Sequence, residues 1–224
     1  MVPLICYNPE MKKRIFVTAT NTDIGKTYTT NLLLKTFALK GIRVGAIKLM
    51  ETGVKEFAPD GTLLLATLQE CNEEFKDVVV SDIVPITYEL PAAPYIASMK
   101  TPLDMELLHK AVTKIERRCD LLIIEGAGGL YVPIDSQYMM IDMIEYFKAT
   151  AVLVTHCALG CINDTLLSEK ALQRENIDYI TLFNCKDNEE SFSEVSEPYF
   201  QDTRERIFKV DKDIDTICDV LYNM

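Results

Sequence analysis

Apolar positions along the 224-residue chain fall into short solid runs that alternate with longer periodic stretches. Residues 15–19 (Ile-Phe-Val-Thr-Ala), 120–125 (around Leu-Leu-Ile-Ile), 151–155 and 177–184 are solid enough for strands buried on both faces. Residues 43–48 and 83–87 predict two more strands. Between these runs, 27–40 carries Leu32, Leu33, Leu34 and Phe37 ahead of Gly41, and 60–71 carries Leu63, Leu64, Leu65 and Leu68. Residues 163–176 carry Leu166, Leu167 and Leu172; all three segments have helical spacing. Thr101 and Pro102 suit the N-cap and first position of a helix reaching about residue 118. Pro91-Ala92-Ala93-Pro94 predicts a loop. Strand-like runs separated by helices imply an α/β fold, mostly a parallel sheet with helices on both faces. One domain over residues 11–224 is expected, with residues 1–10 an N-terminal extension outside it. The acidic, serine-containing stretch 186–197 predicts thin packing.

The strand at 15–19 runs directly into Thr20-Asn21-Thr22-Asp23-Ile24-Gly25-Lys26-Thr27 and then into a helix. This order fits a phosphate-binding loop, with Thr20 standing where the first glycine usually does. A triphosphate needs converging backbone N–H groups at a helix N-terminus, an ammonium over its terminal phosphates and a hydroxyl on Mg²⁺. Gly25 gives the close backbone approach, Lys26 the charge and Thr27 the metal hydroxyl. The α/β domain is therefore expected to be P-loop NTPase-like.

In such a sheet the ligand sits at the carboxyl ends of the strands. Lys48, Glu125 (followed by Gly126-Ala127-Gly128-Gly129) and Asn184 each close a predicted strand. Mg²⁺ takes few direct carboxylates and keeps waters and phosphate oxygens. Thr27, Glu125 and one further acid would therefore suffice, and Asp60 is the only aspartate between Lys48 and Asp77. Asp60 is equally suited to being a helix N-cap.

A net charge of −11 sets the chain against nucleic acid and anionic membranes as partners. The uncharged stretch 149–163 is too short for a bilayer span and contains His156 and Asn163. The first eleven residues lack the order of a signal peptide. Seven cysteines, odd in number and without a Cys-x-x-Cys pair, read as reduced thiols of a cytoplasmic protein.

These blocks together resemble the dethiobiotin synthetases of biotin biosynthesis. The resemblance runs through residues 17–27, Lys48 with Thr52-Gly53, Pro85 to Pro94, Glu125 to Gly129, Leu159-Gly160-Cys161-Ile162-Asn163, and Asn184. It implies ATP-dependent ring closure: a diaminononanoate amine takes up CO₂ as a carbamate, ATP activates it as a carbamic-phosphoric anhydride, and the second amine closes the ureido ring. It implies catalytic roles for Lys26, Lys48 and Thr22, and nucleotide contacts from Asp23 through Tyr28 (Asp23, Ile24, Gly25, Lys26, Thr27, Tyr28) and from Glu125 and Asn184. Substrate contacts fall to Thr52 and Gly128, and Mg²⁺ to Thr27, Asp60 and Glu125. It further implies a homodimer in which Leu159, Gly160, Cys161, Ile162 and Asn163 receive the partner's substrate tail. Asp23 stands where the family more often has glutamate. The family's Gly-x-Ile-Pro-type adenine segment has no counterpart after Asn184, so GTP is expected to be used as well as ATP. A deviant P-loop switch ATPase of the partitioning or metal-delivery kind is the alternative, but it would want a lysine where Asn21 stands. Amidotransferase ligases would need a glutaminase domain for which the chain leaves no room.

Overall fold

The computed structural model describes residues 12–186 and 189–224; the expected extension at 1–10 lies outside them. The first half of the chain runs β1 (Lys13–Ala19), α1 (Lys26–Leu39), β2 (Val44–Lys48), β3 (Glu51–Thr52), α2 (Pro59–Cys71), α3 (Val80–Ile83), β4 (Thr87–Tyr88), α4 (Pro94–Ala97) and α5 (Met105–Glu116). The second runs β5 (Leu121–Gly129), α6 (Met140–Tyr146), β6 (Thr150–His156), α7 (Cys161–Arg174), β7 (Tyr179–Asn184), α8 (Glu189–Val195), α9 (Glu197–Thr203), β8 (Phe208–Lys209) and α10 (Val210–Asn223). Six strands form one sheet in the order β2-β5-β1-β6-β7-β8, and every pairing in it is parallel.

Burial explains why the central strands are apolar almost throughout. Ile15, Phe16 and Val17 of β1, Leu122, Ile123 and Ile124 of β5, and Val152, Leu153 and Val154 of β6 are inaccessible to solvent. Helices on both faces leave no polar side for these strands to alternate toward. Lys48 and Asn184 end β2 and β7 as expected, and His156 pairs with Asn184 at the ends of β6 and β7; Glu125 does not close its strand, because β5 runs on past its pairing with Lys48 to Gly129.

Three further expectations are corrected. Residues 83–87 are not one strand. Val80–Ile83 closes a short helix, and only Thr87–Tyr88 is extended, pairing with β3 in a separate two-stranded sheet. The helix α5 is capped by Asp104, whose carboxylate accepts from the Leu107 N–H, and not by Thr101; an aspartate one step before the periodic run outcompetes the earlier threonine. The expected thin packing of 186–197 holds where the stretch is described: Phe192 and Ser196 are its buried residues, and the rest is exposed or half-exposed. Phe192, with Phe200, is fully buried against Phe183, and the ring centroids of Phe183 and Phe200 are 4.7 Å apart. Two aromatics in an acidic background were enough to seat α8 and α9.

Finally, the cysteines are not all thiols: Cys157 and Cys185 form a disulfide. They follow His156 and Asn184, the register-paired last residues of β6 and β7, so the sheet brings together two positions 28 apart in sequence. Cys71, Cys119, Cys161 and Cys218 are free. Burial pushes the Cys119 and Cys218 thiols up to about 12, so neither is a ready nucleophile.

Candidate active site

A cavity of about 420 Å³ opens at the carboxyl ends of β1, β2 and β5. The phosphate loop forms one wall through Thr22, Asp23, Gly25, Lys26, Thr27 and Tyr28; Lys48, Glu51, Thr52 and Asp60 form another; and Ala127 and Gly128 close it. Most of the site residues expected from sequence thus meet in one place.

The loop geometry explains its residues. Gly25 has φ 101° at the N-terminus of α1, a left-handed conformation that a side chain resists. A Cβ there would also lie 2.1 Å from Nδ2 of Asn184. Asn184 therefore packs directly on the loop, its Nδ2 donating to the Ile24 carbonyl at 2.8 Å. Its Oδ1 is buried without a partner among the described residues. Lys26 Nζ donates to the Asn21 carbonyl at 3.2 Å. The hydroxyl of Tyr28 donates to Asp211 of α10, tying the first helix to the last.

Charge is concentrated at the base of the cavity. Lys48 Nζ lies 2.7 Å from Asp60 Oδ2 and 2.7 Å from Glu125 Oε1. The Thr27 hydroxyl donates to that same Glu125 oxygen at 2.8 Å. Burial alone would lower the Lys48 pKa, but the charges of Glu125 and Asp60 and its hydrogen bonds to both outweigh it, and the net shift is upward. Lys26 moves the other way: burial first, then the neighbouring Lys48 charge, bring it down to about 8. Two cations and two carboxylates share the site, where the carboxylates favour the ammonium charges and the two ammonium groups repel each other.

Three of these groups fit a divalent cation. The Glu125 side chain is fully buried, and its Oε2 has no partner among the described residues. With the Thr27 hydroxyl on the other oxygen of that carboxylate and Asp60 on the same ammonium, these are hard oxygens of the kind Mg²⁺ accepts.

The block Leu159 to Asn163 is not part of this cavity. Leu159 is 86% exposed, while Cys161 is buried beneath the first turn of α7. Asn163 is exposed and donates to Asp164. Sequence reasoning missed Glu51. It is 5% exposed and lines the cavity, but the only signal was an acid next to Thr52.

A parallel sheet, a loop with a left-handed glycine at a helix N-terminus and two buried lysines beside it define a P-loop nucleotide-binding domain, and residues 13–220 match the AAA domain family. Among solved structures, a plasmid partition protein from Borrelia burgdorferi superposes with TM-score 0.58 at 12% identity, covering 96% of this chain and 97% of that one. The MinC:MinD cell division protein complex of Aquifex aeolicus gives 0.52 at 18% identity, covering 93% and 86%. These likenesses show the fold. The sequence relatives are more specific. ATP-dependent dethiobiotin synthetase BioD of Sulfurovum sp. is 42% identical over 83% of this chain and 89% of that protein. The enzyme of the same name from Wolinella succinogenes is 36% identical over 93% and 98%, and that from Methanocaldococcus jannaschii 35% over 88% of each. The chain belongs to the ATP-dependent dethiobiotin synthetase family.

Proposed function

We propose that this chain closes the ureido ring of dethiobiotin from 7,8-diaminononanoate, CO₂ and ATP. The observation that carries the reading is Lys48. Its ammonium is held between Asp60 and Glu125 at 2.7 Å from each, in one cavity with Lys26, Thr27 and Thr52. A carbamate oxygen attacking the γ-phosphorus brings anion onto anion, so catalysis rests on positioning and charge neutralisation. Lys26 neutralises the transferring phosphoryl from the loop side and Lys48 from the sheet side. Lys48 also stabilises the carbamate, and Thr22 hydrogen-bonds at the reacting end. Thr52 and Gly128 orient the substrate. ADP leaves as the carbamic-phosphoric anhydride forms; the second amine then attacks its carbonyl carbon and displaces phosphate as the ring closes. Thr27, Asp60 and Glu125 would hold Mg²⁺, which neutralises phosphate charge when bound. Asp23 to Tyr28 hold the phosphates and Asn184 faces the base.

The active unit in this reading is a homodimer, supported by the exposure of Leu159 outside the cavity. Its block at the start of α7 then receives the partner's substrate carboxylate, which a helix N-terminus favours. The setting is cytoplasmic, where ATP is supplied, and no helix among the described residues is long and apolar enough to cross a membrane. The test is ADP release. It should require diaminononanoate and bicarbonate together; release indifferent to both would indicate a switch ATPase instead.

A further inference from the structure

Helix α2 begins without a cap of its own. Ala58 occupies the N-cap position and has no side-chain acceptor, and Pro59 follows with no N–H. The Thr62 N–H closes the first helical bond to the Ala58 carbonyl at 2.8 Å. That leaves the N–H groups of Asp60 and Gly61 to be satisfied, and one carboxylate takes both. Glu51 Oε1 accepts from Asp60 N at 3.0 Å and Oε2 from Gly61 N at 2.9 Å. Gly61 also lets the helix start pack closely on α3 and the residue after it: a Cβ there would lie 2.3 Å from Val84 Cγ2 and 3.3 Å from Val80 Cγ1. Glu51 is itself anchored in β3, where its N–H donates to the Ile86 carbonyl at 3.0 Å and its neighbour Thr52 pairs with Tyr88.

The consequence lies at Asp60. Its backbone N–H is held by Glu51 while its carboxylate meets Lys48 Nζ at 2.7 Å. We propose that Glu51 is a positioning residue for the metal–phosphate site: by clamping both free N–H groups at the start of α2 it sets where the Asp60 carboxylate stands relative to Lys48 and Glu125, and it ties that placement to the substrate-facing strand carrying Thr52. A helix start held from outside the helix moves with the strand that holds it, so the metal side and the substrate side of the cavity share one rigid joint. Partners that orient a ligating carboxylate change metal affinity by about 10–100-fold when removed. This inference rests on the reading of Asp60 as a metal ligand.

The test uses the full-length protein with ADP, titrated with Mn²⁺ as the probe cation and followed by loss of the free-Mn²⁺ paramagnetic resonance signal. ADP affinity in EDTA is measured alongside by calorimetry. Glu51→Gln leaves an amide where a second acceptor is needed, and should weaken Mn²⁺ binding to the ADP complex by about 10–100-fold with ADP affinity in EDTA unchanged. Glu51→Asp keeps the charge but is a methylene short, should give a smaller loss of the same kind, and carries the test if the glutamine variant does not fold. Asp60→Asn is run in parallel. Mn²⁺ affinity lost in Asp60→Asn but retained in both Glu51 variants would overturn the positioning role. So would equal loss of Mn²⁺ and EDTA-state ADP affinity in the Glu51 variants, which signals general loosening. Unchanged Mn²⁺ binding in Asp60→Asn would remove the metal ligand and the inference with it. None of these results depends on whether ADP release requires diaminononanoate, so the substrate reading stands or falls separately.

Discussion

Lys48, the last residue of β2, stands in register with Glu125 in the middle of β5, with Nζ and Oε1 2.7 Å apart, at 4% and 0% exposure respectively. A buried ion pair of this kind adds little to stability as a pair, but removing one partner strands the other charge, at about 3–5 kcal/mol. Lys26 is different: burial works against its charge first, and the charge of Lys48 second. The two lysines should therefore separate chemistry from folding.

Lys26→Ala should lower turnover by about 100–1,000-fold, the usual cost of losing a group aimed at developing charge, with an unchanged thermal midpoint. Lys48→Ala should lose comparable turnover and also melt earlier, because Glu125 is left unpaired. Steady-state ADP release and calorimetric melting of the two variants check this. Near-native turnover in a folded Lys48→Ala protein would remove Lys48 from the phosphoryl-transfer step.

Rate should depend on pH through Lys26. Its pKa is down at about 8 through burial and the Lys48 charge, and only the ammonium neutralises phosphate. The kcat/KM for ATP should hold below that value and fall as pH rises through it. Lys48, whose pKa shifts upward, stays charged across the same window. Lys26→Arg, with a charge that does not titrate there, should extend the plateau to higher pH. A wild-type profile flat well beyond pH 8 would show that Lys26 does not control binding.

Base selectivity should be shallow. Asn184 spends its Nδ2 on the Ile24 carbonyl and offers one buried acceptor, Oδ1. That oxygen suits the amino group of adenine and not the carbonyl of guanine, but one neutral hydrogen bond is worth only about 0.5–1.5 kcal/mol net. ATP should lead GTP by about tenfold or less, with both used. Turnover with each nucleotide at equal Mg²⁺ decides it, and a preference above about a hundredfold, roughly 2.7 kcal/mol, would require a base pocket elsewhere.

The protein should sediment as a C₂ dimer, near twice 25.4 kDa. Leu159→Asp, at a position 86% exposed and outside the cavity, should raise the KM for diaminononanoate about tenfold, roughly 1.4 kcal/mol, with ATP binding unaffected. A fully active monomer, or an unchanged KM, would place the substrate tail elsewhere.

Much of this was legible in the linear chain because its signals are local. Solid apolar runs such as Leu-Leu-Ile-Ile at 121–124 determine strands buried on both faces, since a side chain has nowhere polar to point. Gly25-Lys26-Thr27 after a strand specifies a phosphate loop, since backbone N–H groups, ammonium and hydroxyl must follow one another in that order. Lys48 and Asn184 could be picked out because a parallel sheet delivers strand ends to one side, and Glu125 because it follows the apolar run, although its strand continues to Gly129. Tertiary structure alone decided the relations between distant groups. It joined Cys157 to Cys185, seated Phe192 and Phe200 on Phe183, turned the Asn184 amide onto the loop, and gave α2 a cap from Glu51 nine and ten residues upstream. Propensity and periodicity describe a residue and its near neighbours. Which buried donor finds which acceptor depends on where the whole backbone carries them, and a buried polar group takes the partner that geometry brings within reach.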